Sequence, residues 1–370
     1  MFTALKAIYN LQWTPQQKFH PLPPYVERTY VPTPLGDVEL LVSQPQTTII
    51  TCPPLILVHG GFGHAAVWLE WMNFFHKHYG GTLYAYSIRG HGASYPVPYS
   101  TMVRQVSLDD IASEWATIIH FVKHNFRHAV DPVVIAHSAG GALTQFVLLN
   151  GMATTAGLCL VASMPHFGGY GATWNWLKAD PWMLLRSFCS WGHPSSPLSQ
   201  PVLVHTGFFG PKFPTGKDDN WQMVKDFMKW MPPYEGMNWV MSINGALWRW
   251  FLGRNEWLDV SKILPSIMGW ERPGDRVCIM VGSHDRLLDL SMATRQFTEY
   301  ANAAKHLQDE KTEVSRHSAH LQTQDSPQGV TMERANKIRL VVIQDAGHHI
   351  QNDIQNDVAA EACLQWIQQL

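Results

Sequence analysis

Apolar residues gather into short β-branched runs at 55–58, 133–135, 158–161, 277–281 and 340–343. The runs are continuous rather than alternating, which is the pattern of strands buried on both faces of a parallel sheet. Between them the spacing changes. Leu108, Ile111, Trp115, Ile118, Ile119 and Val122 recur at steps of three and four and predict a crossover helix, with Ser107 and Asp110 placed as a capping box at its start. Upstream, 25–31 and 38–42 flank Thr33-Pro34-Leu35-Gly36-Asp37 and predict an opening hairpin. The fold class is α/β, a mostly parallel central sheet flanked by helices.

The strand pattern stops between Pro165 and about Pro265, where Trp, Phe, Pro and Gly accumulate. Ten of the 16 tryptophans fall between Trp174 and Trp257. A structureless loop of that length is very unusual, so 165–265 is read as a helical, Trp-rich cap inserted between sheet strands, with 1–164 and 266–370 forming the core. Collectively the tryptophans predict an apolar, aromatic-walled cavity, although any one of them could equally fill a small second core. A second insertion, 305–337, has seven hydrophobic residues in 33 and reads as a solvated, mobile loop within the core.

Composition narrows the function classes. With 46% hydrophobic and 15% charged residues in 370, disorder is excluded and a sizeable core is expected. A formal net charge of −2 supplies no field for holding a polyanion, so nucleic acid is not expected as a partner. No run approaches the roughly 20 apolar residues of a membrane helix, and residues 1–13 contain no apolar h-region, although Phe2 to Trp13 is a faint amphipathic candidate. Five scattered cysteines without a C-x-x-C pair argue against a disulfide framework or zinc knuckle. The expectation is a soluble, cytoplasmic protein without stable membrane insertion. The 19 histidines show no H-E-x-x-H or comparable ligand spacing, so neither a metal nor a cofactor is expected.

Chemistry concentrates at strand ends. Val133-Val134-Ile135-Ala136-His137-Ser138-Ala139-Gly140-Gly141 is an apolar strand running straight into a small-residue turn and a helix. A serine at such a turn is held strained with its hydroxyl exposed, and its neighbours must be small. Ser138 is therefore the candidate nucleophile, although Ala136 stands in the first glycine position of G-x-S-x-G. A serine needs a base and the base an orienting carboxylate. The strand at 277–281 is followed by Gly282-Ser283-His284-Asp285, and that at 340–343 by Gln344-Asp345-Ala346-Gly347-His348-His349. Both groups leave the edge at which open α/β sheets bind ligands.

The order Ser, Asp, His resembles the α/β-hydrolase superfamily, specifically its lid-bearing serine hydrolases. Two more segments carry the resemblance. Leu55 to Gly63 is similar to the family's strand and H-G oxyanion loop, and Ser87-Ile88-Arg89-Gly90-His91-Gly92-Ala93-Ser94 resembles its D-x-R-G-x-G-x-S turn, with Ser87 replacing Asp. The resemblance implies Ser138 as nucleophile, His348 as general base and acid, and Asp285 as the orienting carboxylate. It implies an oxyanion hole from the N–H groups of Gly61 and Ala139, with Phe62 as fallback. His349 competes with His348, and Asp289 and Asp345 with Asp285. His137 is read as a neighbour of the base, His59, His64 and His91 as ordering loops near the oxyanion turn, and Arg89 as an anchor of its turn.

The implied activity is hydrolysis of an ester, thioester or lactone through an acyl-enzyme. The lid composition suggests a small apolar or aromatic acyl substrate, such as a lipid-like or polyketide-derived secondary metabolite. An acyltransferase, cyclase or lyase could use the same triad, and a non-catalytic ligand-binding relative is the third alternative. Oligomeric state, pathway and substrate identity stay open.

Overall fold

The computed structural model describes residues 11–49, 51–125, 130–216, 220–244, 257–311 and 329–370. Within these residues, nine strands form one sheet: β1 (Val26–Thr33), β2 (Gly36–Ser43), β3 (Leu55–Val58), β4 (Leu83–Tyr86), β5 (Val133–His137), β6 (Gly157–Val161), β7 (Val277–Gly282), β8 (Val330–Ala335) and β9 (Ile338–Ile343). Their spatial order is β1-β2-β4-β3-β5-β6-β7-β9-β8. The six strands from β4 to β9 in that order run parallel, whereas β1, β2 and β8 are antiparallel to their neighbours. This is the α/β-hydrolase arrangement expected from the motifs.

Every residue of β3, β5, β6, β7 and β9 is buried. That explains why these strands read as continuous apolar runs: both faces are covered. One face carries α1 (Leu69–His78) through Trp71, Met72 and Phe75, and the C-terminal helix through Ala359, Cys363 and Trp366. The other carries α3 (Leu108–Asn125), which follows the short α2 (Tyr99–Arg104), and α4 (Ala139–Leu149). The predicted capping box opens α3: the Ser107 N–H donates to Asp110 Oδ2 at 2.9 Å and the Asp110 N–H to Ser107 Oγ at 3.2 Å.

Between β6 and β7 lie α5 (Tyr170–Ala179), α6 (Met183–Cys189), α7 (Pro201–Phe208), α8 (Gln222–Trp230), α9 (Met237–Ser242) and α10 (Val260–Ile263). Leu198, Val204, Phe208, Phe209, Phe213 and Val224 form their own small core, which also takes in Leu287 and Leu288 from the loop after β7. Helix α6 is inverted. Its buried residue is Arg186, paired with Asp180, while Leu184, Leu185 and Phe188 face outward. Trp248 and Trp250 lie outside the described residues.

Two strands were not anticipated. β4, Leu83-Tyr84-Ala85-Tyr86, contains no β-branched residue and so does not stand out among the β-branched runs. β8 lies inside the stretch 305–337 read as a loop. It is an edge strand in which Thr331 is exposed and Glu333, Arg334 and Ala335 are only partly covered, so its polar composition reflects a half-solvated edge rather than a loop. At the other end of the same stretch, residues 305–311 continue helix α11 (Leu290–Lys311); only 312–328 lie outside the described residues. The chain closes with α12 (Asn356–Ile367).

A tight packing constraint lies where β5 turns into α4. A Cβ at Gly140 would collide with the His59 carbonyl oxygen, and one at Gly141 with the Ser163 hydroxyl. Gly140→Ala is therefore expected to destabilise the protein by about 3 kcal/mol or more, because backbone is the obstacle and cannot yield as a side chain could. Gly151→Ala, at φ 62° but in open space, should cost only about 1 kcal/mol. Chemical denaturation of the two variants beside the parent checks the contrast.

Candidate active site

Parallel strands that end level with one another bring their following loops to one edge. The register pairs Val58 with Ala136, His137 with Val161, and Gly282 with Ile343. Ser138, the loops after β3 and β7, and the loop after β9 therefore converge.

Ser138 sits at φ 50° and ψ −122°, one residue before α4. Its backbone is held on both sides: its N–H donates to the Val161 carbonyl at 3.1 Å, and its own carbonyl accepts from the N–H groups of Gly141 and Met164, each at 3.0 Å. A Cβ at Gly60 would lie 2.6 Å from Ser138 Cβ, which explains the glycine after His59. Ala136, in the position of the motif's first glycine, is fully buried inside β5.

The structure brings the three residues singled out from the sequence into one chain of contacts. Ser138 Oγ lies 2.9 Å from His348 Nε2, and His348 Nδ1 lies 2.9 Å from Asp285 Oδ2. The other carboxylate oxygen, Oδ1, accepts from the N–H groups of Leu287 and Leu288 at 2.8 and 2.9 Å, so Asp285 is locked in orientation. Asp285 and His348 are buried, whereas Ser138 keeps partial exposure.

The competing residues are placed elsewhere. Asp289 starts α11, accepting from the Met292 N–H and from Asn175. Asp345 pairs with Lys212 at the surface. His349 packs its ring against Phe208, Phe209 and Phe227, and burial together with the neighbouring His348 pushes its pKa well down. His137 is likewise held neutral by burial and by His349 and His348. Its Nε2–H donates to the His348 carbonyl at 3.0 Å, so it fixes the backbone that carries His348. Arg89 anchors its turn, donating through Nε to Glu114 at 2.9 Å. The acid missing at position 87 is replaced from another strand: Ser87 Oγ donates at 2.6 Å to Glu39 of β2, which also accepts the Ala93 N–H.

Gly61 and Phe62 face the same space as Ser138 and Ala139. Ala139 is the first residue of α4, where helical N–H groups have no partner one turn earlier. The Phe62 N–H differs, because it is already engaged by Glu235 Oε2 at 2.7 Å. It is therefore not free to serve as the fallback donor.

Above Ser138 lies a cavity of about 250 Å³. Its walls are mainly aliphatic, Met and Phe side chains: Met164, Met183, Phe208, Met237, Val240, Met241, Ile243, Leu287 and Leu288. The expected aromatic wall is present only in part, as Phe62, Trp176 and Phe208. Of the described lid tryptophans only Trp176 lines the cavity; Trp174, Trp182 and Trp191 are exposed and Trp239 is fully buried in the core beneath. A large amphipathic ring with an N–H to satisfy fits a rim or a hydrogen-bonded niche better than a small apolar chamber. Trp239, for instance, donates its Nε1–H to Glu235.

Two residues escaped sequence reasoning. Glu235 carries the only charge between Lys229 and Arg249, and that isolation was its available signal. Asp353 had none: it lies beyond the histidine loop, and its Oδ2 accepts the N–H groups of both Gly347 and Gly210, at 2.8 and 2.7 Å, tying that loop to the lid. Among the described residues no cluster of three or more His, Cys, Asp or Glu is arranged to hold a metal ion, and none of the described helices is long and apolar enough to cross a membrane.

Residues 55–361 match the model of the alpha/beta hydrolase family. Solved structures share the fold at low identity. A thermophilic esterase from Thermogutta terrifontis is 15% identical with a TM-score of 0.56, covering 92% of this chain and 98% of its own. An esterase from Exiguobacterium antarcticum is 14% identical with a TM-score of 0.56, covering 92% and 100%. A carboxylesterase from Bacillus subtilis is 16% identical with a TM-score of 0.51, covering 99% and 97%. No curated protein matches in sequence.

Asp353→Ala should leave two buried N–H groups without an acceptor, each costing about 1–3 kcal/mol. A thermal melt is expected to show a clear loss of stability, with Asp353→Asn, which keeps one oxygen acceptor, intermediate.

Proposed function

The chain belongs to the alpha/beta hydrolase family, and from that premise we propose that it is a serine hydrolase cleaving an ester, thioester or lactone bond of a small apolar molecule. One observation carries the reading: the continuous Ser138–His348–Asp285 contact chain opens on an apolar cavity.

In this reading the acyl group enters the cavity with its carbonyl carbon over Ser138 Oγ. His348 Nε2 removes the hydroxyl proton as Oγ attacks, while Asp285 keeps the remaining proton on Nδ1 and stabilises the imidazolium. Charge then develops on the carbonyl oxygen, where the N–H groups of Gly61 and Ala139 are its donors. Each such donor contributes about 3–4 kcal/mol to the transition state. The Ala139 donor gains from standing at the N-terminus of α4, where the helix dipole favours an anion. The tetrahedral intermediate collapses as His348 hands its proton to the leaving oxygen or sulfur. Water, deprotonated by the same histidine, then releases the acid and restores Ser138.

The cavity supports a small acyl group. About 250 Å³ is below the roughly 300–1,000 Å³ of sites that enclose drug-sized ligands. Its polar atoms are few, Thr173 and Asn244 among them, so recognition rests on apolar fit more than on hydrogen bonds.

Labelling with a fluorophosphonate probe tests the reading, together with turnover of p-nitrophenyl esters of rising chain length. Ser138→Ala and His348→Ala should abolish labelling, with hydrolysis reduced by about 10⁴-fold or more. Asp285→Asn should lose about 10⁴-fold through the wrong histidine tautomer. Asp345→Asn and Asp289→Asn should label at nearly the parental rate. Short acyl chains should be turned over best. A folded parent protein that neither labels nor hydrolyses any ester overturns the proposal.

A further inference from the structure

A single lid side chain accepts a hydrogen bond from the loop that follows β3. Glu235 lies between α8 and α9, almost completely buried, and it borders the cavity beside Gly61, Phe62 and Ser138. Both of its oxygens are saturated. Oε2 accepts the Phe62 N–H at 2.7 Å and contacts His91 Nε2 at 3.1 Å, while Oε1 accepts the Gly236 N–H at 2.7 Å and the Trp239 Nε1–H at 3.2 Å. Donors from the loop and from the RGHG turn thus meet on one oxygen, and donors from the lid on the other.

Two features favour a carboxylate that holds the loop in place over one that recognises a ligand. No oxygen is left for a substrate cation. And Phe62, whose N–H it holds, sits at φ 60°, a conformation that a bulky L-residue keeps only when its surroundings enforce it. The peptide so restrained joins Phe62 to Gly61.

The partner is a histidine whose surroundings favour its charged form. His91 Nδ1 faces the Arg89 carbonyl at 2.9 Å and Nε2 faces the Glu235 carboxylate, so both ring nitrogens face acceptors. Burial opposes a charge on His91, but Glu235 and the Arg89 carbonyl outweigh it and raise its pKa. Burial likewise opposes ionisation of Glu235, and His91 with the Phe62 and Gly236 N–H groups outweighs it and lowers its pKa. The other ionisable groups around His91 are His59 and His64 from the loop after β3, Arg89 on its own turn and Glu114 from α3. His59 and His64 are held neutral, chiefly by burial.

We propose that Glu235, paired with His91, is the positioning residue that couples lid docking to the oxyanion loop: the lid completes the loop's geometry, and the His91 charge prevents the Glu235 carboxylate from repelling the oxyanion. The proposal rests on the serine hydrolase reading above. Glutamine cannot substitute, because its amide presents one acceptor and one donor group where four donors converge. The sign of the pH effect follows. Raising pH through the elevated His91 pKa removes the compensating proton and leaves a bare carboxylate behind the loop, so turnover falls on the alkaline side.

The test compares the parent, Glu235→Gln and His91→Gln, using hydrolysis of a short p-nitrophenyl ester, fluorophosphonate labelling and affinity for an alkylboronic acid, with near-UV circular dichroism reporting the fold. Glu235→Gln should lose about 10- to 100-fold in kcat with KM changed less than about threefold, should bind the boronic acid correspondingly more weakly, and should lack the alkaline limb. His91→Gln should also lose that limb. If the parent labels and hydrolyses but Glu235→Gln matches it in kcat, boronic acid affinity and pH profile, the positioning role is wrong while the hydrolase reading stands. If Glu235→Gln fails to fold, His91→Gln decides: an unchanged kcat and alkaline limb overturns the coupling. A folded parent that neither labels nor hydrolyses sinks the hydrolase reading and this proposal with it.

Discussion

The structure depends on holding Ser138 in a backbone conformation that a serine does not choose. At φ 50° and ψ −122° it carries strain of about 1–3 kcal/mol, and the surroundings over-determine it. Three backbone hydrogen bonds grip its peptide groups, and the glycines at 60, 140 and 141 let three segments approach more closely than a Cβ would permit. Placing β3, β5, β6, β7 and β9 side by side, with level ends, is what makes that grip possible.

Burial then sorts the polar residues around the elbow. His59, His64, His137 and His349 are all kept neutral, with desolvation the leading cause in each. They serve as hydrogen-bonding and packing groups, and the donor from His137 to the His348 backbone is the clearest case. His348 differs from them because its two nitrogens meet a hydroxyl and a carboxylate. His91 differs because a lid carboxylate faces it. These six histidines thus separate into distinct roles by environment, not by residue type.

The lid is more than a cover. Asp353 ties it to the histidine loop and Glu235 ties it to the loop after β3, so both halves of the site touch the same insertion. Its helices bury aliphatic and Phe side chains downward, while Trp174, Trp182 and Trp191 stay exposed. The composition that marked the insertion in the sequence therefore describes its outer face and rim more than the chamber beneath.

The α/β class, seven of the nine described strands, the start of α3 and the place of the strained turn at Ser138 are legible in the chain alone, because all of these are local. Strand burial writes itself as apolar runs, a capping box spans four residues, and a nucleophile turn must be small. The sequence also ordered Ser138, Asp285 and His348 along the chain, but left Asp345, Asp289 and His349 as rivals, since several polar residues follow each strand and only packing separates them. β8 was hidden because an edge strand with one wet face looks like loop. Packing alone settles which acid reaches which histidine, that Glu39 supplies the carboxylate missing at Ser87, that the Phe62 N–H is already taken, and that Glu235 and Asp353 bind the lid to the site. Each of these joins residues distant in the chain, through contacts that require the folded sheet and the docked lid to exist first.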